Sequence, residues 1–314
     1  MDYLHPTPRI VSLLPSATEI LAVLGLGAYQ VGRSHECDYP PEVVNLPICT
    51  APQFNPEGTS GEIHDRVTDL LTRALGVYRV ELEQLAALQP THILTQAQCD
   101  VCAVSLADVE AAVASLTGLQ PQIISLQPNC LAELWADLER VSDAIGGSAL
   151  RSSTAAAIAA LQARIKRCQG AIAPAAPRPR VACIEWTDPL MAAGNWIPEL
   201  VTLAGATACF GQTGVHSPWI QWADLVTADP DLILFMPCGY DLPRTRAAAQ
   251  PLTQQPQWSA LKAVQTGQVY VTDGNQYFNR PGPRLVESLE ILVEICHPGA
   301  IAPPQNAGTG WQPL

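Results

Sequence analysis

Residues 148–169, SALRSSTAAAIAALQARIKRCQ, set the strongest condition on the fold. They follow a Gly146-Gly147 break and are rich in Ala, Leu, Gln and Arg, all strong helix formers. Leu150, Ala157, Ile158, Leu161, Ile165 and Cys168 recur at helical spacing and form one apolar stripe. Gly170 is the expected stop, and Pro174, Pro177 and Pro179 keep the next stretch extended. At ~1.5 Å per residue such a helix is a rod of roughly 30 Å. Sequence patterned for strands alternating with helices lies on either side. Two readings follow: a stiff spine holding two lobes apart with a cleft between them, or a core helix of one large domain.

The first reading gives an α/β fold of two Rossmann-like lobes with mostly parallel sheets. Its parts are 1–147, the linking helix 148–170, and 171–314. A chain of 314 residues is long enough for two cores. Hydrophobic residues at 48% against 15% charged exclude a disordered chain. The net charge of -12 argues against a nucleic-acid partner. No apolar run is long enough to span a bilayer, and no basic cluster marks an anionic membrane. MDYLHPTPRIVSLLPS carries Asp2 and two prolines and lacks a basic region before its apolar run. On that ground the chain is expected to be cytoplasmic, and a monomer.

In the first half, the strand expected at 9–14 stops at Pro15, and Ser16-Ala-Thr-Glu19 has the form of a capping box. Pro15 and Ser16 thus fall at a strand's carboxyl end, where α/β sheets collect ligands. A second strand, 29–33, empties into Ser34-His35-Glu36-Cys37-Asp38-Tyr39. A third, 91–95, empties into a run holding Cys99 and Cys102. Helices are expected at 62–75, 81–89, 105–116 and 131–145, and a last strand at 122–126. The second half repeats the logic. Strands at 180–185, 231–235 and 269–272 end beside Trp186, Cys238 and the Tyr277-Phe278 pair. Asn195 reads as a helix cap, Trp219 lies in a loop, and a helix closes the lobe from Pro281 to Ile295. The tail from His297, rich in Pro and Gly, reads as a loosely held strap.

Of ten cysteines, Cys49, Cys168, Cys183, Cys209 and Cys296 sit in apolar or strand-like surroundings and read as small hydrophobes. Cys99-x-x-Cys102 admits three readings: half a metal site completed by Cys37, His35 or Cys238, a redox pair, or a structural pair. GxSxG, HExxH and GxxxxGK[ST] are absent, so no hydrolase or nucleotide signature asks for an enzyme. Trp186, Trp219, Tyr277 and Phe278 suit the faces of a large, flat, partly apolar ligand.

Together RIVSLLPSATEILAVLGLG, the turn at 34–41, LEQLAALQP, GNWIPELVTLAGA, DPDLILF and YFNRPGPRLVESLEIL resemble the cobalamin-binding substrate-binding proteins of ABC importers. These belong to the helical-backbone class that also holds iron-siderophore receptors. The resemblance runs from Arg9 to about Pro298. It implies two lobes on one long helix and a corrinoid held without catalysis. It also implies a permease partner, docked through Glu83 and through a second-lobe acid for which only Asp224 is near. By position Glu36 stands where the family has a cleft aromatic, while Trp186, Trp219 and Tyr277-Phe278 match cleft aromatics. The expected ligand set is therefore Pro15, Ser16, Glu36, Trp186, Trp219, Tyr277 and Phe278. Cys37, Cys99, Cys102 and Cys238 are the candidate metal ligands. The alternatives are cysteine-dependent binding of a metal ion or chelate, and an enzyme acting on a corrinoid through Cys99 and Cys102.

Overall fold

The computed structural model describes residues 7–73, 75–96, 104–116, 118 and 120–314. The chain divides into two compact units. The first holds residues 1–57, 65–128 and 132–159; the second holds 58–64, 129–131 and 160–314.

The elements of the first half are, in order, β1 (Ile10–Ser12), α1 (Pro15–Val23), β2 (Gln30–Arg33), β3 (Thr50–Pro52), α2 (Ser60–Thr72) and β4 (Tyr78–Val80). Then come α3 (Leu82–Leu88), β5 (His92–Gln96), α4 (Leu106–Ser115), β6 (Gln122–Leu126), α5 (Leu131–Gly146) and α6 (Arg151–Ala171). The main sheet of the first unit is four-stranded in the order β2-β1-β5-β6, and every pairing is parallel. Parallel strands are covered on both faces and so read as unbroken apolar runs. Ile10, Val11, Ile93 and Leu94 are accordingly fully buried. β3 and β4 form a separate antiparallel ribbon, which the sequence pattern did not announce.

α6 is one uninterrupted 21-residue helix. It starts three residues later than expected, after a 3-10 turn at Gly147–Ala149, and runs through Gly170. Its buried residues include Thr154, Ile158, Leu161 and Cys168, close to the expected stripe. The helix of 16–24 also differs from expectation. Pro15 takes its first turn, where a missing N–H costs nothing, so Ser16 lies inside the helix and makes no capping box. Ser105, by contrast, caps α4 as expected, its hydroxyl accepting from the Asp108 N–H at 3.1 Å.

The second half continues with β7 (Arg180–Thr187), β8 (Leu190–Ala192), α7 (Ile197–Leu203), β9 (Thr207–Ala208), α8 (Trp222–Ala228) and β10 (Leu232–Phe235). It closes with α9 (Leu242–Ala249), α10 (Lys262–Gln265), β11 (Val269–Thr272), α11 (Leu285–Cys296) and β12 (Trp311–Pro313). The central strands β11-β10-β7 are parallel, and β9 adds to β7 in parallel. β8 and β12 complete the sheet as antiparallel additions, so it is mostly parallel. α11 is buried nearly all round: Leu285, Val286, Leu289, Ile291, Leu292 and Val293 are at most 1% exposed. Each such side chain contributes about 1.5–3 kcal/mol on leaving water.

Two expectations for this half are corrected. Asn195 is not a helix cap; its φ of +50° turns the chain, and Trp196 precedes α7 instead. Nor is the tail a loose strap. Residues 311–313 pair with β11, and the Glu294 carboxylate accepts from the N–H of Gln305 (2.8 Å), the Asn306 amide (3.0 Å) and the Trp311 indole (2.7 Å). Among the described residues no helix is long and apolar enough to cross a membrane.

Candidate functional site

In the first unit the chain leaves β2 into the turn that begins at Ser34. Arg33, the last residue of β2 and only 8% exposed, holds that turn. Its guanidinium donates to the carbonyls of Ser34 (3.0 Å), Cys37 (3.2 Å) and Val44 (3.0 Å). A fork of five fixed donors suits a task in which several carbonyls converge. The segment that follows returns alongside, with the Cys49 N–H donating to the Arg33 carbonyl at 2.8 Å and β3 pairing with β4. This ribbon delivers two side chains to the turn. Thr50 accepts from the backbone N–H of His35 at 3.1 Å and lies 2.8 Å from its Nδ1. Tyr78 donates from its hydroxyl to the Glu36 carboxylate at 3.3 Å, and its ring lies 5.3 Å from that of His35. Phe54 and Tyr78 meet edge to face, with ring centroids 6.4 Å apart. Burial, with a smaller contribution from Arg33, lowers the pKa of His35 and favours the neutral ring.

The remaining first-unit candidates are more dispersed. Pro15 and Ser16 form the first turn of α1, and Ser16 is buried. Cys37 is 1% exposed, and the Thr18 hydroxyl donates to its sulfur at 3.1 Å, so its thiol faces the interior. Glu83 is exposed in the first turn of α3. Cys99 and Cys102 lie outside the described residues. Among the described residues no group of three or more His, Cys, Asp or Glu side chains is arranged to hold a metal ion.

In the second unit, the carboxyl ends of β7, β10 and β11 carry the aromatic residues. Trp186, half-buried on β7, donates its indole N–H to the Asp188 carbonyl at 3.0 Å. Tyr240, five residues past β10 in sequence and buried, places its ring 5.4 Å from that of Trp186. The Arg244 guanidinium, near the start of α9, lies 4.1 Å over the Tyr240 ring. A cation on a ring face is held by the ring's quadrupole. Residues 58–64 belong to this unit and lie along the same edge. The Thr187 hydroxyl donates to Ser60 at 2.8 Å, and His64 meets Trp219 edge-on at 5.4 Å. Gly61 fits because it has no Cβ, which would fall 2.6 Å from the Asp188 carboxylate. Trp219 itself is 53% exposed.

The other aromatic pair divides. Tyr277 is 9% exposed, with Arg284 4.5 Å over its ring, and burial raises its pKa. Phe278 is fully buried, its carbonyl accepting from the Trp196 indole at 2.8 Å, so its ring belongs to the core. Cys238 is partly exposed between β10 and Tyr240. The sequence reading passed over Tyr240, Arg244, Tyr78 and Thr50. Tyr240 and Arg244 had a signal, an aromatic just past a strand with an arginine four residues on. Thr50 and Tyr78 had none, since their role depends on the unannounced ribbon.

A model of the family described as periplasmic binding protein matches residues 10–276. A vitamin B12-binding protein of Vibrio cholerae is 24% identical over 296 residues, covering 93% of this chain and 88% of the relative. An uncharacterized ABC transporter substrate-binding lipoprotein of Bacillus subtilis is 25% identical over 300 residues, covering 92% and 80%. The solved structure of the periplasmic vitamin B12-binding protein of V. cholerae aligns with a TM-score of 0.64 at 22% identity, over 93% of this chain and 97% of that one. The periplasmic heme-binding protein of Roseiflexus sp. RS-1 aligns with a TM-score of 0.68 at 21% identity, over 94% and 100%. These relatives are named as periplasmic proteins and a lipoprotein, which overturns the cytoplasmic location expected from the N-terminal residues. The family resemblance read from the sequence motifs holds: the chain belongs to the periplasmic binding protein family.

Proposed function

We propose that this chain is a non-enzymatic receptor for a corrinoid, cobalamin or a close relative, and that it delivers its ligand to an ABC permease. The observation that carries the reading is the arrangement of Trp186, Tyr240 and Arg244 at the carboxyl edge of the second sheet. The half-buried Trp186 ring, backed by the buried Tyr240, and the partly exposed Arg244 guanidinium offer flat apolar contact together with a donor for amide or carboxylate groups on a ligand's rim. Trp219, with half its surface open, extends the apolar contact, and Tyr277 is a further contributor. In the first unit Glu36 is the polar contact, with Pro15 and Ser16 at the neighbouring strand end. Glu83, exposed on α3, is the proposed permease contact on that unit. The vitamin B12-binding relatives support the choice of a corrinoid.

A second reading is a metal chelate of the heme type. Arg244 favours it, because a guanidinium pairs well with carboxylates on a ring's edge, and several structural neighbours are named as heme-binding. Calorimetric and absorbance titrations with cyanocobalamin, cobinamide and hemin separate the two. Micromolar or tighter binding of a corrinoid, with hemin much weaker, is the expected result. Failure to bind any of the three removes the receptor reading.

A further inference from the structure

We propose that His35 coordinates the metal of the bound chelate through Nε2, as an axial ligand. This rests on the reading above, that the ligand is a metal-bearing macrocycle.

The hydroxyl of Thr50 sets the tautomer of His35. It donates to the Ser34 Oγ at 3.0 Å, so its one proton is committed there. Its oxygen accepts from the His35 backbone N–H at 3.1 Å. One acceptor position remains, and the His35 Nδ1 lies 2.8 Å away, so Nδ1 carries the hydrogen and donates. The lone pair is therefore on Nε2. Among the described residues Nε2 has no hydrogen-bond partner. A ring with one nitrogen donating to a fixed oxygen and the other bare is what metal coordination by imidazole requires. The surroundings hold the ring in place: Tyr78 lies against it, Arg33 staples the backbone carbonyl of Ser34, and Thr50 sits on the β3–β4 ribbon.

A bare metal ion needs several protein ligands, and the described residues have no such cluster. A chelate brings its own four equatorial donors and asks the protein for one more. The chemistry that fits His35 is thus a planar chelate with an exchangeable axial position. In the step itself a water leaves the metal, the Nε2 lone pair takes its place, and no electron or proton is transferred. Cobalt in a corrin and iron in a heme share this chemistry.

The test uses the whole chain with three probes: aquacobinamide and hemin, whose axial waters exchange, and dicyanocobinamide, whose axial positions are blocked. With the unchanged protein, the visible bands of aquacobinamide or hemin should shift on binding, while those of dicyanocobinamide stay put. A shift with cobinamide alone assigns cobalt; a shift with hemin alone assigns iron. His35→Ala and His35→Gln should abolish the shift and weaken the shifting probe tenfold or more, leaving dicyanocobinamide affinity within twofold. Thr50→Val keeps the ring but loses its acceptor, and should weaken the same probe severalfold. Unchanged circular dichroism establishes that the variants fold. Binding without any shift, or a shift of full size in both His35 variants, overturns the proposal and leaves the receptor reading intact. Absence of binding by all three probes overturns both.

Discussion

The first unit arms its turn with an imidazole, hydroxyls and a carboxylate, and the second arms its edge with indole rings and a phenol ring capped by a guanidinium. The two sets are held differently. Polar groups act through direction, so His35 and Glu36 each need a partner, and Arg33 fixes the backbone that carries them. Flat apolar faces act through area, so Trp186 and Trp219 need only to remain partly uncovered. Recognition by the second unit therefore tolerates small displacements, whereas the first unit must be built to within a hydrogen bond's length.

That contrast can be broken most heavily in the frame of the second unit. Glu294→Ala removes an acceptor shared by Gln305, Asn306 and Trp311, in a site 4% exposed. Leaving those donors unmet should cost about 4 kcal/mol in chemical denaturation. The Asp273 N–H donates to the Gly310 carbonyl, so the turn that carries Tyr277 should loosen as well.

Next in size is a pH effect confined to the first unit. Burial, partly offset by Arg140 at 2.8 Å, pushes the Asp137 carboxyl up to about 6. Between the ordinary carboxylate range and pH 6 the folded chain then binds more protons than the unfolded one. Its stability should therefore fall as pH rises from 4 to 7, by about 3 kcal/mol at one pKa unit per ~1.4 kcal/mol. Asp137→Asn should flatten this part of the stability profile, measured by urea denaturation across that pH range.

Smaller effects sharpen the contrast at the two sites. Trp186→Ala with Tyr240→Ala should weaken ligand binding roughly 30-fold, the effect of losing about 2 kcal/mol of ring contact, as read by calorimetry. Tyr78→Phe should weaken it only about threefold, since one hydrogen bond to Glu36 is lost and the ring stays. A Tyr78→Phe effect larger than that of the tryptophan–tyrosine pair would invert the assignment of roles.

The same difference in physics explains what could be read from residue order. Buried parallel strands advertise themselves as apolar runs, so Val269–Thr272 was legible to the residue. Ser105 was legible as a cap because its acceptor acts three residues away. Ser16 and Asn195 were not, because Pro15 and a positive φ outweighed their capping tendency. β4, Tyr-Arg-Val, is too short for its alternation to stand out, yet it delivers Tyr78. The tail misled for a related cause: composition records that Pro and Gly are frequent but not which main-chain groups meet. The aromatic residues past the strand ends were legible as a class. Their separation into Phe278 within the core and Trp219 at the surface was settled only by tertiary packing.

β12 also guards the edge of the second sheet. By pairing with β11 it occupies that strand's outer row of backbone donors and acceptors, and the Leu314 N–H still donates to Val269. Shortening the chain by its last four residues would expose a ready template for strand addition, so such a truncation should self-associate at concentrations where the full chain stays dispersed.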